Sequence, residues 1–393
     1  MNFKDIAEYV GVTSFPEEFE EIYKRINAVE TIFCDLSYFK KYEDEYGILG
    51  EYYTVATDAI EKIKKDEKLF IYGKIYCEYA KTATTTEVRC TPMPKLDTSA
   101  ERDYFALGVM YSIFPSAIET LKDRGFSEEN IKNAFKEVYK AIESSKKQLG
   151  RPAMMDVYYN WSMLYVYGEI FPCGGFTFQL KQFPHEVILL QNKVTEEYIP
   201  VMTGGIFNKD GLVLGSAGAE DEEGSFGAEF EETENAYLCR KVQNGRVLRE
   251  KAEYKKSEWD CILKNGDYVL AVHIPRNTDV THEAVKRDFN MALDRAKQVF
   301  PKHDLHRLIC CSWLLDPTLE KLMGENSRVV GFGKEFVRFP VNSHGEEHKL
   351  FVFPGFNGAL SDLPEETSMQ RKIKALLLSG GHIYAVAGVY AEK

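Results

Sequence analysis

The sequence predicts an α+β (mixed α/β) protein with a mainly helical N-terminal domain over residues 1–162 and a mixed-sheet C-terminal domain over 163–393. Three observations predict it. Apolar residues in the first part recur at helical spacing. After Trp161, short β-rich runs are separated by glycine and proline, and from about residue 267 strands and helices alternate.

In chain order, the run from Tyr52 to Tyr79 reads as helix weakened by Gly73, and the run from Tyr104 to Lys122 as helix that Pro115 kinks or divides. "KTATTTEVRCTPMPKLDTSAERD" between them reads as a connection with at most one short strand. In "SEENIKNAFKEVYKAIESSKKQLG", Ile131, Phe135, Val138 and Ile142 form one stripe, bounded by Ser127 as N-cap and Gly150 as stop. "GEIFPCGGFTFQL", "HEVILL" and "EYIPVMTGGIF" then predict strands, with hairpin turns at Asn244-Gly245 and Asn265-Gly266. Strand "DYVLAVHIP" leads to helix "THEAVKRDFNMALDRAKQVF", whose Val285, Phe289, Ala292, Ala296 and Val299 share one face. There follow strand "LHRLICCSW", short helix "PTLEKLM", strands "RVVGFGKEFVRFP" and "KLFVFP", helix "SMQRKIKALLLSG" and strand "HIYAVAGVY".

Composition narrows the function classes. The 393 residues are 44% hydrophobic and 28% charged, enough for two or three cores without staples. The formal charge is −12, and residues 218–234 carry eight carboxylates and no base, so no nucleic-acid partner is expected. No run is long enough to span a membrane, and the charged start "MNFKDIAEYV" does not read as a signal peptide. Eight scattered cysteines without a CxxC pair read as reduced thiols, and the expected location is the cytoplasm.

Few motifs carry chemistry. "HGEEH" (344–348) matches H-x-x-E-H, but its context predicts a polar hairpin loop instead of the helix a zinc protease needs, and no metal is expected. "RVVGFG" (328–333) matches R-x-x-G-x-G, but reads as a bent strand because a strand follows. The junction "HIPRNTDVTHEA" (273–284) suits an anion better. Thr281 is a good N-cap, Arg276 supplies forked donors, and the helix start leaves free N–H groups. Against this, the junction holds no glycine, and Asp279 and Glu283 already complement the helix dipole. In "LICCSWLLDP" (308–317), alternation places Cys311 and Trp313 on one face and Cys310 and Ser312 on the other, with Asp316 as cap of the next helix. By the residues alone, a core strand with a helix cap is favoured over a catalytic edge.

Three stretches carry a resemblance: "GEIFPCGGFTFQL", "SEWDCILKNGDYVLAVHIP" (257–275) and "ICCSWLLDPTLEKLMGENSRVVGFGKEF" (309–336). They resemble the family of two-domain bacterial acyltransferases with a helical N-acyltransferase N-terminal domain and a GNAT-like C-terminal domain. The resemblance runs from about residue 100 to the end, and the chain departs from it in lacking a glycine-rich loop after Pro275. It implies a GNAT-like sheet in which "DYVLAVHIP" splays from "LICCSWLLDP" and acetyl-CoA or another acyl-CoA lies in the gap.

On that resemblance the chain is an N- or O-acyltransferase acting on a small-molecule acceptor by direct attack. His273 and Asp316 are the candidate bases, and Cys311 and Ser312 are proton donors or wall residues. Backbone N–H groups near Ile274 stabilise the oxyanion, Arg276, Asn277, Thr278 and Thr281 hold phosphates, and Trp313 borders the cofactor. The alternative is a non-catalytic GNAT-like module that binds a metabolite or partner protein. A hydrolase using Cys311 or Ser312 is a third reading. A cleft at 275–281 left open by Arg276 and Asp279 favours the enzyme.

Overall fold

The computed structural model describes residues 2–96, 99–275 and 277–391. The chain divides into two compact units, one ending at Phe171 and the other beginning at Pro172, where the sequence places the boundary at 162.

The first unit is helical. Helix Glu128–Leu149 begins at Ser127, whose side chain accepts the Asn130 N–H, and ends at left-handed Gly150, as predicted. The run from Tyr52 is two helices, Tyr53–Lys65 and Glu67–Ala80, because Asp66 leaves the helical region and its carboxylate caps the Leu69 N–H. Pro115 does not divide Ala100–Asp123. Buried Tyr111 and Phe114 before it, and Ala117 and Ile118 after it, keep the helix continuous past the proline. The expected connection after Lys81 contains helix Thr85–Cys90, built on a capping box between Thr84 and Glu87. Gly73 is a packing device: a Cβ there would lie 2.0 Å from the Phe33 ring, and one on Gly108 would lie 2.9 Å from it.

The second unit holds strands β1 (Ile170–Cys173, which spans the division), β2 (Phe176–Gln182), β3 (Val187–Asn192), β4 (Tyr198–Met202), β5 (Ile206–Phe207), β6 (Phe226–Gly227) and β7 (Glu231–Glu232). It continues with β8 (Ala236–Gln243), β9 (Arg246–Lys255), β10 (Trp259–Leu263), β11 (Tyr268–His273), β12 (Leu308–Ser312), β13 (Phe336–Pro340) and β14 (Val386–Tyr390). The main sheet has the order β1-β2-β11-β12-β14-β13; β11 and β12 are parallel, and β11–β2, β12–β14 and β13–β14 are antiparallel. Smaller sheets β10-β3-β4, β7-β8-β9 and β5-β6 complete the unit.

Helix His282–Val299 covers one face of the main sheet, with the Phe289 ring against Phe176, Phe178, Phe336 and Tyr390. The opposite face sends Val269, Ala271, Ile309, Phe339, Ala387 and Val389 into a core shared with Val187 and Leu189 of β3.

Four local expectations change. Asn244-Gly245 does turn the β8–β9 hairpin, both residues with positive φ, but Asn265-Gly266 only carries the chain from β10 to β11, which lie in different sheets. "RVVGFG" is helix Arg328–Lys334, not a bent strand, because Phe332 is buried against Phe176 and Phe336 and Gly333 packs near the Leu314 carbonyl. "KLFVFP" contains helix Lys349–Val352 in place of a strand. "HGEEH" therefore leads into a helix and is not a hairpin loop.

The described cysteines are free thiols. Among the described residues no cluster of three or more His, Cys, Asp or Glu is arranged to hold a metal, and no helix is long and apolar enough to cross a membrane.

Candidate functional site

Strands β11 and β12 pair only through Leu270 with Leu308 and Ala271 with Ile309. Beyond these two rungs each strand stays with its outer neighbour: His273 is level with Thr177 of β2, and Ser312 with Val386 of β14. The inner edges diverge and open a cavity of about 600 Å³. Its walls are the segment from Val272 to Pro275, Asn277 and Thr278, the segment from Cys310 to Leu314, and Val280, Val329, Asn342, Glu347, Phe351 and Ala385.

Strand alternation sorts the side chains. Ala271 and Ile309 face the shared core, so His273 and Cys311, two residues on, point to that same side, whereas Val272 and Cys310 point to the helix-covered side. His273 lines the cavity with Nε2 3.0 Å from Gln179 Oε1. Burial, with a smaller contribution from Lys181, depresses its pKa to about 4 and keeps the imidazole neutral over the physiological range. Cys311 is exposed at the lip, yet the protein mass around its sulfur raises the thiol pKa, and Cys310 is buried. Neither thiol has the depressed pKa of a nucleophilic cysteine.

The other expected residues divide into those on the cavity and those away from it. Ile274, Asn277, Thr278, Ser312 and Trp313 line it; Asp316 and Thr281 are not among the lining residues, and Arg276 lies outside the described residues. Asp316 is buried, and its carboxylate accepts the Thr318 N–H at 2.9 Å and the Tyr384 N–H at 2.6 Å, with Arg246 at 3.5 Å. This fits the helix cap that the sequence also suggests. Ser312 caps the turn after β12 by accepting the Leu314 N–H at 3.2 Å. Trp313 begins that turn, so it leaves the strand face it was expected to share with Cys311.

The junction after Pro275 turns without a glycine. Asn277 takes the left-handed φ of 67° that glycine would otherwise supply, and the Thr278 hydroxyl donates toward the Gly175 and Pro275 carbonyls at 2.9 and 2.7 Å. The Asp279 carboxylate turns to the Thr281 N–H at 3.1 Å and is not among the lining residues. Helix His282–Val299 has no side-chain cap bond from Thr281.

Glu347 is the main residue that the sequence reading passes over. Among the described residues it is the only formally charged side chain on the wall. The Ser343 hydroxyl donates to both its oxygens at 3.1 Å, and the His344 N–H donates to one at 3.1 Å. The signal was present in "HGEEH", where the histidine pattern drew attention to zinc and away from the carboxylate.

No match was found among curated proteins. Solved structures similar over nearly the whole chain include an acyltransferase mutant in complex with octanoyl-CoA, 14% identical with TM-score 0.62 and covering 100% of both chains. An acyltransferase with CoA and 10C-teicoplanin is 14% identical with TM-score 0.62, covering 99% of both chains. Another, with decanoyl-CoA and teicoplanin, is 14% identical with TM-score 0.61 at the same coverage. These likenesses establish the fold. Residues 174–390 match the model of the GNAT-like C-terminal domain, and by that match over more than half its length the chain belongs to this family.

Proposed function

We propose that this protein is an acyl-CoA-dependent acyltransferase that transfers the acyl group to a small-molecule acceptor by direct attack. The observation that carries the reading is the two-rung pairing of β11 with β12 and the cavity it opens. The cofactors held by similarly folded acyltransferases, octanoyl-CoA and decanoyl-CoA, support an acyl-CoA there, and the mainly apolar wall suits a chain longer than acetyl. Pro275, Asn277 and Thr278, with the uncapped start of helix His282–Val299, are the side on which phosphates would lie.

In the reaction the acceptor's nitrogen or oxygen attacks the thioester carbonyl. A C–N or C–O bond forms, the C–S bond breaks, and the nucleophile's proton passes through His273 toward the departing thiolate. His273 is neutral and lies at the cavity wall. Backbone N–H groups at Ile274 would meet the oxyanion. Glu347 gives the acceptor side a negative charge, which favours binding of a cationic amine over a neutral alcohol; the ammonium gives up one proton to solvent before its free amine attacks, and the second is the proton that passes through His273. Cys311 and Ser312 are wall residues in this scheme. The acceptor is of the small-molecule class, for which the teicoplanin complexes offer support by analogy. The free cysteines fit a reducing cytoplasm.

A thermal-shift titration with octanoyl-CoA tests the reading, with free CoA and ATP as controls. The melting temperature should rise saturably with octanoyl-CoA, less with CoA, and not with ATP. Cys311→Trp, which places an indole at the lip, should abolish the rise. No shift at millimolar octanoyl-CoA would reject the acyltransferase in favour of a module without this cofactor.

A further inference from the structure

The cavity wall is graded in depth. Pro275, Asn277, Cys311, Asn342 and Phe351 are exposed and form its mouth, whereas Val272, Cys310, Trp313 and Ala385 are buried and form its deep end. Of these buried four, Trp313 alone belongs both to the wall and to a separate apolar cluster, with Leu319, Val352, Phe353, Ile373 and Ile383 behind it. The indole, 7% exposed, is thus a partition between an open space and a filled one. Its placement is fixed by the chain: β12 stops at Ser312, the Ser312 hydroxyl accepts the Leu314 N–H at 3.2 Å, and the tight turn that follows sends the indole out of the strand direction. The buried His348 ring, 6.4 Å from the indole between centroids, leans on it from the side.

We propose that Trp313 sets the length of the acyl chain this protein accepts, its indole being the floor on which the chain's terminal carbons rest. The proposal rests on the acyl-CoA reading of the cavity. The nucleotide end of such a cofactor is too large and too charged for the deep end, so the chain enters last carbon first. A chain that stops short of the floor leaves apolar surface without a partner, and one too long must push a side chain that a packed cluster holds in place. Removing the indole does not create a sealed void, because the new space is continuous with the cavity and further methylenes can occupy it.

Dissociation constants measured by calorimetry for butanoyl-, octanoyl-, dodecanoyl- and hexadecanoyl-CoA on the full chain provide the test, and they need no acceptor. The wild type should show an optimum length. Trp313→Ala should move it toward longer chains by roughly three or four methylenes, the size of the lost indole, and change the ratio of long to short affinities by about tenfold or more. Trp313→Phe should move it less, and Val329→Phe, which thickens the wall nearby, should move it toward shorter chains. Leu319→Ala, behind the partition, should leave the optimum in place. If the wild type has an optimum and the folded Trp313→Phe and Val329→Phe proteins keep it, the floor assignment is wrong while the acyl-CoA reading stands. If the wild type binds none of the four, the reading fails and takes the proposal with it.

Discussion

Two places in this molecule hold neighbouring elements apart, and they are treated in opposite ways. In the helical unit, Gly73 and Gly108 make room between helices Glu67–Ala80 and Ala100–Asp123, and the Phe33 ring fills it completely. In the sheet unit, β11 and β12 diverge after two rungs, and among the described residues the gap between them opens into a cavity. Closing a gap with an aromatic ring gains dispersion and removes apolar surface from water. The second gap, with a carboxylate and a neutral imidazole on its wall, has the form of a ligand pocket, and it is the gap on which the proposed function rests.

The largest effect should come from breaking the closed gap. By helix propensity alone, Gly73→Ala should stabilise by about 1 kcal/mol. The contact at 2.0 Å predicts the opposite sign, a loss of about 3 kcal/mol or more, read as a fall in melting temperature. A second change, Phe33→Leu, should recover part of that loss. An unchanged or raised melting temperature in Gly73→Ala would remove the contrast between the two gaps.

Next comes Asp316→Asn. If the carboxylate is a structural tie beside the open gap, loss of its charge-assisted bonds to the Tyr384 and Thr318 N–H groups should cost about 2 kcal/mol. Turnover of the protein that remains folded should be nearly unchanged. If turnover falls a hundredfold with stability intact, Asp316 is the base and His273 is not.

Acid should act more gradually. Burial lowers the pKa of His185, His273 and His348 to about 4 from the ordinary 6.5, so the unfolded chain binds their protons first as pH falls. The stability these three contribute is whole above pH 6.5 and is lost between there and about 4. His348→Leu should flatten part of this loss, since neither of its ring nitrogens has a hydrogen-bond partner. A melting temperature independent of pH over that window would show that the rings are not held neutral.

The smallest effect should be Glu229→Gln. Its carboxylate, itself partly exposed, pairs with exposed Lys251 and with the mostly covered Arg240, and the change should cost about 1 kcal/mol or less.

Elements whose signal is local were legible in the sequence. Ser127, Gly150 and the apolar stripe of helix Glu128–Leu149 are all near neighbours in the chain, as are Asn244 and Gly245 of the hairpin. Elements decided by distant partners were misread. "RVVGFG" is β-like in composition and becomes helix because Phe332 finds Phe176 and Phe336, more than 150 positions away in the case of Phe176. At the site, Ile274, His273 and the lip at Cys311 follow from strand alternation, which sequence shows. Glu347 and Phe351 arrive from a segment after β13 whose position depends on the Ser343 and Ser216 contacts, so "HGEEH" shows the carboxylate but no local pattern shows that it reaches this wall.

The two rungs at Leu270 and Ala271 have a mechanical consequence. The six-stranded sheet is two three-stranded leaves, β1-β2-β11 and β12-β14-β13, stitched along one edge by a very short seam. The outer part of that seam is free to breathe, and a molecule lodged against both lips would act as a clasp. Amide hydrogen exchange along β11 and β12 would register the clasp as slowed opening of both leaves together, in strands the molecule touches only at their ends.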